Sequence, residues 1–170
     1  MINYYALEVN EENENEILEV LQSDVFNNII LDSFILKKKQ YMKFVTDQGF
    51  YEIDILKGTI FFSTNDINQF KEIFKKCKAL FKLNEGHKFK LHNLKEDDLI
   101  FLDKWTSRII DSSLGTITKG KLTIESGPLV GKEKMIKKID RHKKIAYLSF
   151  KFSFSDKLIN LGLDVPVKTL

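Results

Sequence analysis

Gly127-Pro128-Leu129-Val130-Gly131-Lys132-Glu133-Lys134-Met135-Ile136-Lys137-Lys138-Ile139-Asp140-Arg141-His142-Lys143-Lys144-Ile145-Ala146-Tyr147 decides how this chain is read. A turn bounded by Gly127 and Gly131 precedes two short apolar runs, residues 135–139 and 145–148, which read as strands. Between them lies a compact basic tip, Asp140 to Lys144, where Arg141, Lys143 and Lys144 project together and Lys132 and Lys134 approach from the preceding turn. Arg141 offers a planar fork for phosphate or guanine, the lysines add point charges, and His142 can stack or donate. Dense phosphate with splayed loop bases, the surface of an RNA hairpin, suits that mixture.

Working outward, short strands and frequent turns continue from Thr116 to the C-terminus: Lys119-Gly120, Ser126-Gly127-Pro128, Val130-Gly131, Asp140–Lys144 and Ser155-Asp156. That spacing predicts a small barrel of about five strands. Charge is divided along the chain in the same sense. Residues 1–110 carry 15 Lys and Arg against 18 Asp and Glu, whereas residues 111–170 carry 12 against 6, within a total net charge of +3. The C-terminal third is therefore the part that faces a polyanion.

The N-terminal two thirds read as an α+β unit, an antiparallel sheet with helices packed on it. Residues 3–9 form a buried opening strand, and 11–22 a helix with Ile17, Leu18 and Leu21 on one side and an acidic start that suits the helix dipole. Residues 34–45 and 50–63 are β-rich, with Asp47-Gln48-Gly49 as a hairpin turn. Ile67, Phe70, Ile73, Phe74, Cys77, Leu80 and Phe81 share one face of a helix over 67–81. Asn93-Leu94-Lys95-Glu96 reads as a capping box opening a helix that runs to Trp105. The boundaries that follow are a first domain over 1–108, a Ser/Gly linker over 109–116 and a second domain over 117–170.

Other chemistries find little support. Cys77 stands alone, so no intramolecular disulfide forms, and its place on an apolar helix face reads as structural. His87, His92 and His142 have no metal-ligand spacing with one another or with a carboxylate. Gly127 to Lys132 lacks the Gly-Lys-Ser/Thr ending of a phosphate loop. Glu96-Asp97-Asp98 is explained by a helix N-terminus, and Lys37-Lys38-Lys39 by a solvated strand edge where lysine blocks pairing. The N-terminus lacks the pattern of a secretory signal, and no apolar run reaches membrane-spanning length. A non-enzymatic cytoplasmic protein is expected, with no metal, no cofactor and no membrane partner.

With these residues in place, the chain resembles the NusG family of transcription elongation factors, and within it the LoaP-type processive antiterminators. Ser126 to Glu133 matches the family's turn with its hallmark glycine at Gly131, residues 139–146 match a run of LoaP-like members, and residues 161–165 resemble the closing strand of an SH3-like KOW barrel. Ser113-Leu114-Gly115 fits the linker. In the first domain, Tyr4-Tyr5-Ala6-Leu7 stands at the aromatic first strand, and residues 56–61 stand where the family has Phe-Pro-Gly-Tyr followed by an apolar strand. There Gly58 and the apolar positions are kept, while Lys57 and Thr59 depart from the motif. The resemblance implies an N-terminal domain that binds the clamp of RNA polymerase through Tyr4, Tyr5, Leu56, Gly58 and Ile60. It also implies a KOW domain that binds a leader RNA hairpin through Lys132, Lys134, Arg141, His142, Lys143 and Lys144. The chain would act as a monomer that promotes read-through of terminators. The alternative within the family is a general elongation factor whose KOW domain binds a protein, the ribosome or a termination factor.

Overall fold

Tyr5, Leu7, Ile60 and Phe62 point to one side of a four-stranded antiparallel sheet, and they bring helices onto it. The computed structural model describes residues 2–105 and 107–169. In chain order the sheet's strands are β1 (Asn3–Glu8), β2 (Ile30–Phe34), β5 (Thr59–Thr64) and β6 (Lys90–Asn93), arranged β2-β5-β1-β6. β1 and β5 are aromatic and aliphatic on both faces, which is why they sit at the centre. Tyr5 pairs with Phe62 in register, their rings stacked at 5.4 Å, while Phe61 stacks on Phe34 at 5.5 Å on the other side. Against the first face pack α1 (Glu14–Leu21) through Ile17 and Leu21, and α2 (Ile67–Lys76) through Phe70.

The helix expected over 67–81 is two helices. Asp66 caps α2 by accepting from Gln69 N at 3.0 Å. Cys77 then leaves the helical region, with ψ of 90°, and α3 (Lys78–Leu83) follows. In an unbroken helix, ten residues would turn Leu80 about 80° away from Phe70. The break lets both be fully buried, and Phe74, Phe81 and Phe89 close an edge-to-face cluster beside them. The expected capping box is also displaced. Asn93 is the last residue of β6, opposite Tyr5, and α4 (Glu96–Asp103) is started instead by Asp98, whose carboxylate accepts from Lys95 N at 2.9 Å.

The chain divides into two compact units that are not consecutive in sequence: Met1–Leu36 with Leu56–Phe101, and Lys37–Ile55 with Leu102–Leu170. The hairpin β3 (Lys37–Lys43) and β4 (Gln48–Asp54) thus groups with the C-terminal part. Its turn is Phe44 to Asp47, earlier than expected, closed by Phe44 N donating to Asp47 O at 2.6 Å. Asp47 is held there by Tyr51 Oη at 2.6 Å and Gln48 N at 2.7 Å, so Gln48 and Gly49 join the ladder.

The segment expected to link two domains is largely strand. β7 (Ile109–Ile110) lies parallel to β3, and β8 (Ser113–Thr118) enters a five-stranded sheet with β9 (Lys121–Ser126), β10 (Ile136–Asp140), β11 (Ile145–Leu148) and β12 (Asn160–Thr169), in the order β10-β11-β12-β8-β9. Small residues at 112–115 signal close approach here rather than flexibility. Ser113 is buried and accepts from Leu129 N at 3.0 Å, and a Cβ at Gly127 would lie 2.6 Å from Ser113 Cα. Leu129, Ala146, Leu148, Phe152, Leu161 and Leu163 form the unit's core. Between β9 and β10 a 3-10 turn (Glu133–Met135) is tied back by Glu133 Oε1, which accepts from Ile124 N at 3.1 Å. The architecture is mixed α+β. Among the described residues no helix is long and apolar enough to cross a membrane.

β3 is not the solvated edge that Lys37-Lys38-Lys39 suggested, because it is paired on both sides. Lys37 meets Asp54 at 3.4 Å and Lys39 meets Asp111 at 3.2 Å. Lys38 is 5% exposed, with its ammonium donating to Asn160 Oδ1. Burial pulls its pKa from 10.5 down to about 8. The unfolded chain holds this proton up to the ordinary value, so between pH 8 and 10.5 the unfolded state binds more protons and stability rises with pH. Below pH 8 the charged amine imposes its whole penalty, about 2–3 kcal/mol after allowance for partial screening. We expect Lys38→Met to melt above the wild-type chain at pH 7 and the two melting curves to converge by pH 10. A gap in melting temperature that stays constant from pH 7 to 10 would contradict this.

Candidate nucleic-acid interface

The turn after β10 is shaped by its own residues. Asp140 Oδ1 accepts from Lys143 N at 2.9 Å, and that bond is the main reason its carboxyl titrates below the usual carboxylate range. Lys144 takes a left-handed φ of 55°, which brings Ile145 back opposite Asp140. The tip is therefore a built turn, and the six basic positions expected to act together fall into two groups.

Three of them are engaged within the unit. Arg141 donates from Nε and Nη2 to Val165 O at 3.0 and 2.9 Å. The cause lies in β12: Pro166 has no N–H to give a ladder, the pairing with β8 shifts register between Asp164 and Val167, and the Val165 carbonyl is left for another donor. Lys144 places its ammonium 4.0 Å from the Tyr41 ring centroid and 3.4 Å from Asp164 Oδ2. Lys132 donates to Pro128 O at 3.1 Å and lies 5.4 Å from the Trp105 ring centroid. Arg141 nevertheless remains exposed, and its Nη1 is not used in these bonds. Arg141→Ala is expected to lower the stability of this unit by about 1–2 kcal/mol, because a carbonyl loses a charge-assisted donor. Urea unfolding followed by Trp105 fluorescence measures it. An unchanged midpoint would show the bond to be incidental.

The second group is Lys134, His142 and Lys143, all exposed, the last two beside the Asp140 carboxylate. Lys137 and Lys138 join them, although strand alternation would send one of two successive residues inward. The ladder between β10 and β11 shifts register between Ile136 and Lys138, and the bulge leaves both lysines exposed. β10 is also an edge of its sheet, where lysines obstruct pairing with another chain. The exposed basic residues here are consequently Lys134, Lys137, Lys138, Arg141, His142 and Lys143, Arg141 being also bound to Val165 O. Lys137 and Lys138 were legible only as strand residues, since a bulge leaves no local signature in Ile-Lys-Lys-Ile.

The five positions that the resemblance gave to polymerase binding also separate. Tyr5, Leu56 and Ile60 are buried, Ile60 completely, and offer no contact surface. Gly58 is buried too and is fixed by backbone geometry. Its φ is 69°, a Cβ there would lie 2.7 Å from Val9 O, its carbonyl accepts from Val9 N at 2.8 Å, and its N–H donates to the buried Glu14 carboxylate at 2.9 Å. Tyr4 alone is partly exposed, on the strand face opposite Tyr5. It lines a depression of about 320 Å3 with Ile2, Leu94 and Leu99.

The remaining titratable residues are accounted for singly. His92 Nε2 meets Glu8 Oε2 at 2.6 Å across β1 and β6, and His87 lies exposed in a loop. Among the described residues no three His, Cys, Asp or Glu side chains are grouped so as to hold a metal ion. No protein-family model and no curated protein matches the chain.

Proposed function

We propose that this chain is a NusG-type transcription factor of the antiterminating kind, binding RNA polymerase through its first unit and a nascent RNA hairpin through its second. The observation that carries the reading is the set of exposed basic residues on β10 and the turns at its ends. They are held in place by the Asp140 cap and the β10 bulge and extend to the solvent. Exposed cations are available for counterion exchange with phosphates, which is the main source of affinity for a polyanion. The excess of basic residues in the C-terminal third supports the same assignment.

For the polymerase contact, support comes from Tyr4 and its depression, of mixed polar and apolar lining, where Ile2 is 59% exposed. No bond is made or broken in this function. The factor binds the forward-moving state of the enzyme more tightly than the paused state, and about 3 kcal/mol of difference shifts that balance ~100-fold. A second reading, the general elongation factor whose second domain binds a ribosomal or termination protein, is favoured by the exposed Leu114, Val130 and Val167. Titrating the purified chain with a stable hairpin RNA and with an unstructured RNA of equal length separates the two. The antiterminator prefers the hairpin by at least about tenfold. Equal, weak binding of both would reject it in favour of the protein-binding factor.

A further inference from the structure

The second unit contains a cavity of about 580 Å3 that neither the exposed lysines nor the fold requires. Its walls combine Trp105, Pro128 and Val130 with the amines of Lys104 and Lys132. Asp111 also lines it, but its carboxylate is 3.2 Å from Lys39, so the cavity's own balance is positive. Trp105 is buried at its floor, 6% exposed, with Lys132 over its ring while also donating to Pro128 O, so the free walls are Pro128 and Val130. The volume lies in the range of sites for small ligands, and Val130 at its edge is 48% exposed, so there is a way in.

We propose that this cavity takes one unpaired nucleotide, its base against Pro128 and Val130 above the buried Trp105 and its phosphate at the Lys104 amine, beside Lys132. Apolar walls match the faces of a base, and an ammonium group matches a phosphate. A purely apolar ligand would leave the Lys104 amine unused, and inorganic phosphate would leave the walls unused. The inference rests on the RNA reading in one respect: Lys132 and Lys134 belong to the turn that leads into β10, so a bulged nucleotide of a bound hairpin is the source we expect.

Trp105 is the only tryptophan, and its emission reports on the cavity directly. The full chain is titrated with hairpin RNAs bearing a bulged A, G, C or U, with the same hairpin abasic at the bulge, with each nucleoside monophosphate, and with inorganic phosphate. We expect the bulged hairpins to change Trp105 emission and the abasic one to bind on the order of tenfold more weakly. Lys104→Gln and Val130→Glu should each reduce the emission change while the chain stays folded by circular dichroism. If bulged and abasic hairpins bind alike and emission is unmoved, the cavity proposal fails while RNA binding stands. If no hairpin binds but a monophosphate changes emission in a Lys104-dependent way, the cavity is a nucleotide site and the RNA reading fails. If phosphate alone reproduces the whole change, the base has no place in the cavity and the proposal is overturned.

Discussion

Gly127→Ala is expected to lower the stability of the second unit by about 2–5 kcal/mol, a large effect for one added methyl group. Two costs combine. Gly127 has φ of 97°, a region that costs an L side chain about 1–2 kcal/mol. The new Cβ would also lie 2.6 Å from Ser113 Cα and Ser113 Oγ and 2.8 Å from Ser112 O. Two of these atoms are backbone, so relief requires β8 to move, at a cost of about 1–3 kcal/mol. Domains of this kind hold only about 5–15 kcal/mol in all. Gly131 is the control. Its φ is 74° but nothing lies within 4 Å of a Cβ there, so Gly131→Ala should cost only about 1–2 kcal/mol. Urea midpoints from Trp105 fluorescence compare the two. Equal losses would mean that the Gly127–Ser113 approach does not constrain the sheet.

The second large effect concerns binding. Replacing Lys134, Lys137, Lys138 and Lys143 together with Gln should weaken hairpin RNA binding on the order of 10^3-fold near 0.1 M salt, and the salt slope should fall by about one for each phosphate that no longer meets an ammonium group. All four are exposed, and Lys143 alone sits beside a carboxylate, so the quadruple variant should stay close to the wild-type urea midpoint. Lys144→Gln should do the opposite. It releases the contacts with Tyr41 and Asp164 and so lowers stability, with little change in the salt slope. A quadruple variant that binds with the wild-type slope would move the RNA contact away from β10.

These variants mark where local sequence stops being informative. The buried opening strand was legible in Tyr4-Tyr5-Ala6-Leu7, because a central strand needs apolar residues on both faces. Helical periodicity found Phe70 and Leu80 but not the break at Cys77, which exists because both must reach one core from ten residues apart. The basic tip was legible as charge, yet the partition of that charge was not. Arg141 is tied to the Val165 carbonyl 24 residues away, and Lys144 lies over a ring on β3. Lys137 and Lys138 both turn outward through a bulge specified by pairing with β11. In each case the residue types were visible and the deciding contact was remote in sequence. The same holds for Ser113 and Gly115, whose small size looked like flexibility and instead admits neighbouring backbone: a Cβ on Gly115 would stand 2.9 Å from Thr123 O.

The family motif is reinterpreted in the same way. Gly58 is demanded by Val9 O and by the buried Glu14 carboxylate, whatever the first unit binds. Gly58 and the apolar positions at 56–61 therefore serve to close the sheet, and of the five positions only Tyr4 reaches the surface.

Single-round transcription by the cognate polymerase through an intrinsic terminator tests the central claim most directly, on templates that encode or omit a leader hairpin upstream. The proposed function predicts that the wild-type chain raises read-through several-fold on the hairpin template only, and that the Lys134/Lys137/Lys138/Lys143 quadruple Gln variant abolishes the gain while remaining folded. Read-through that is the same with and without the protein, or with and without the hairpin, would contradict it.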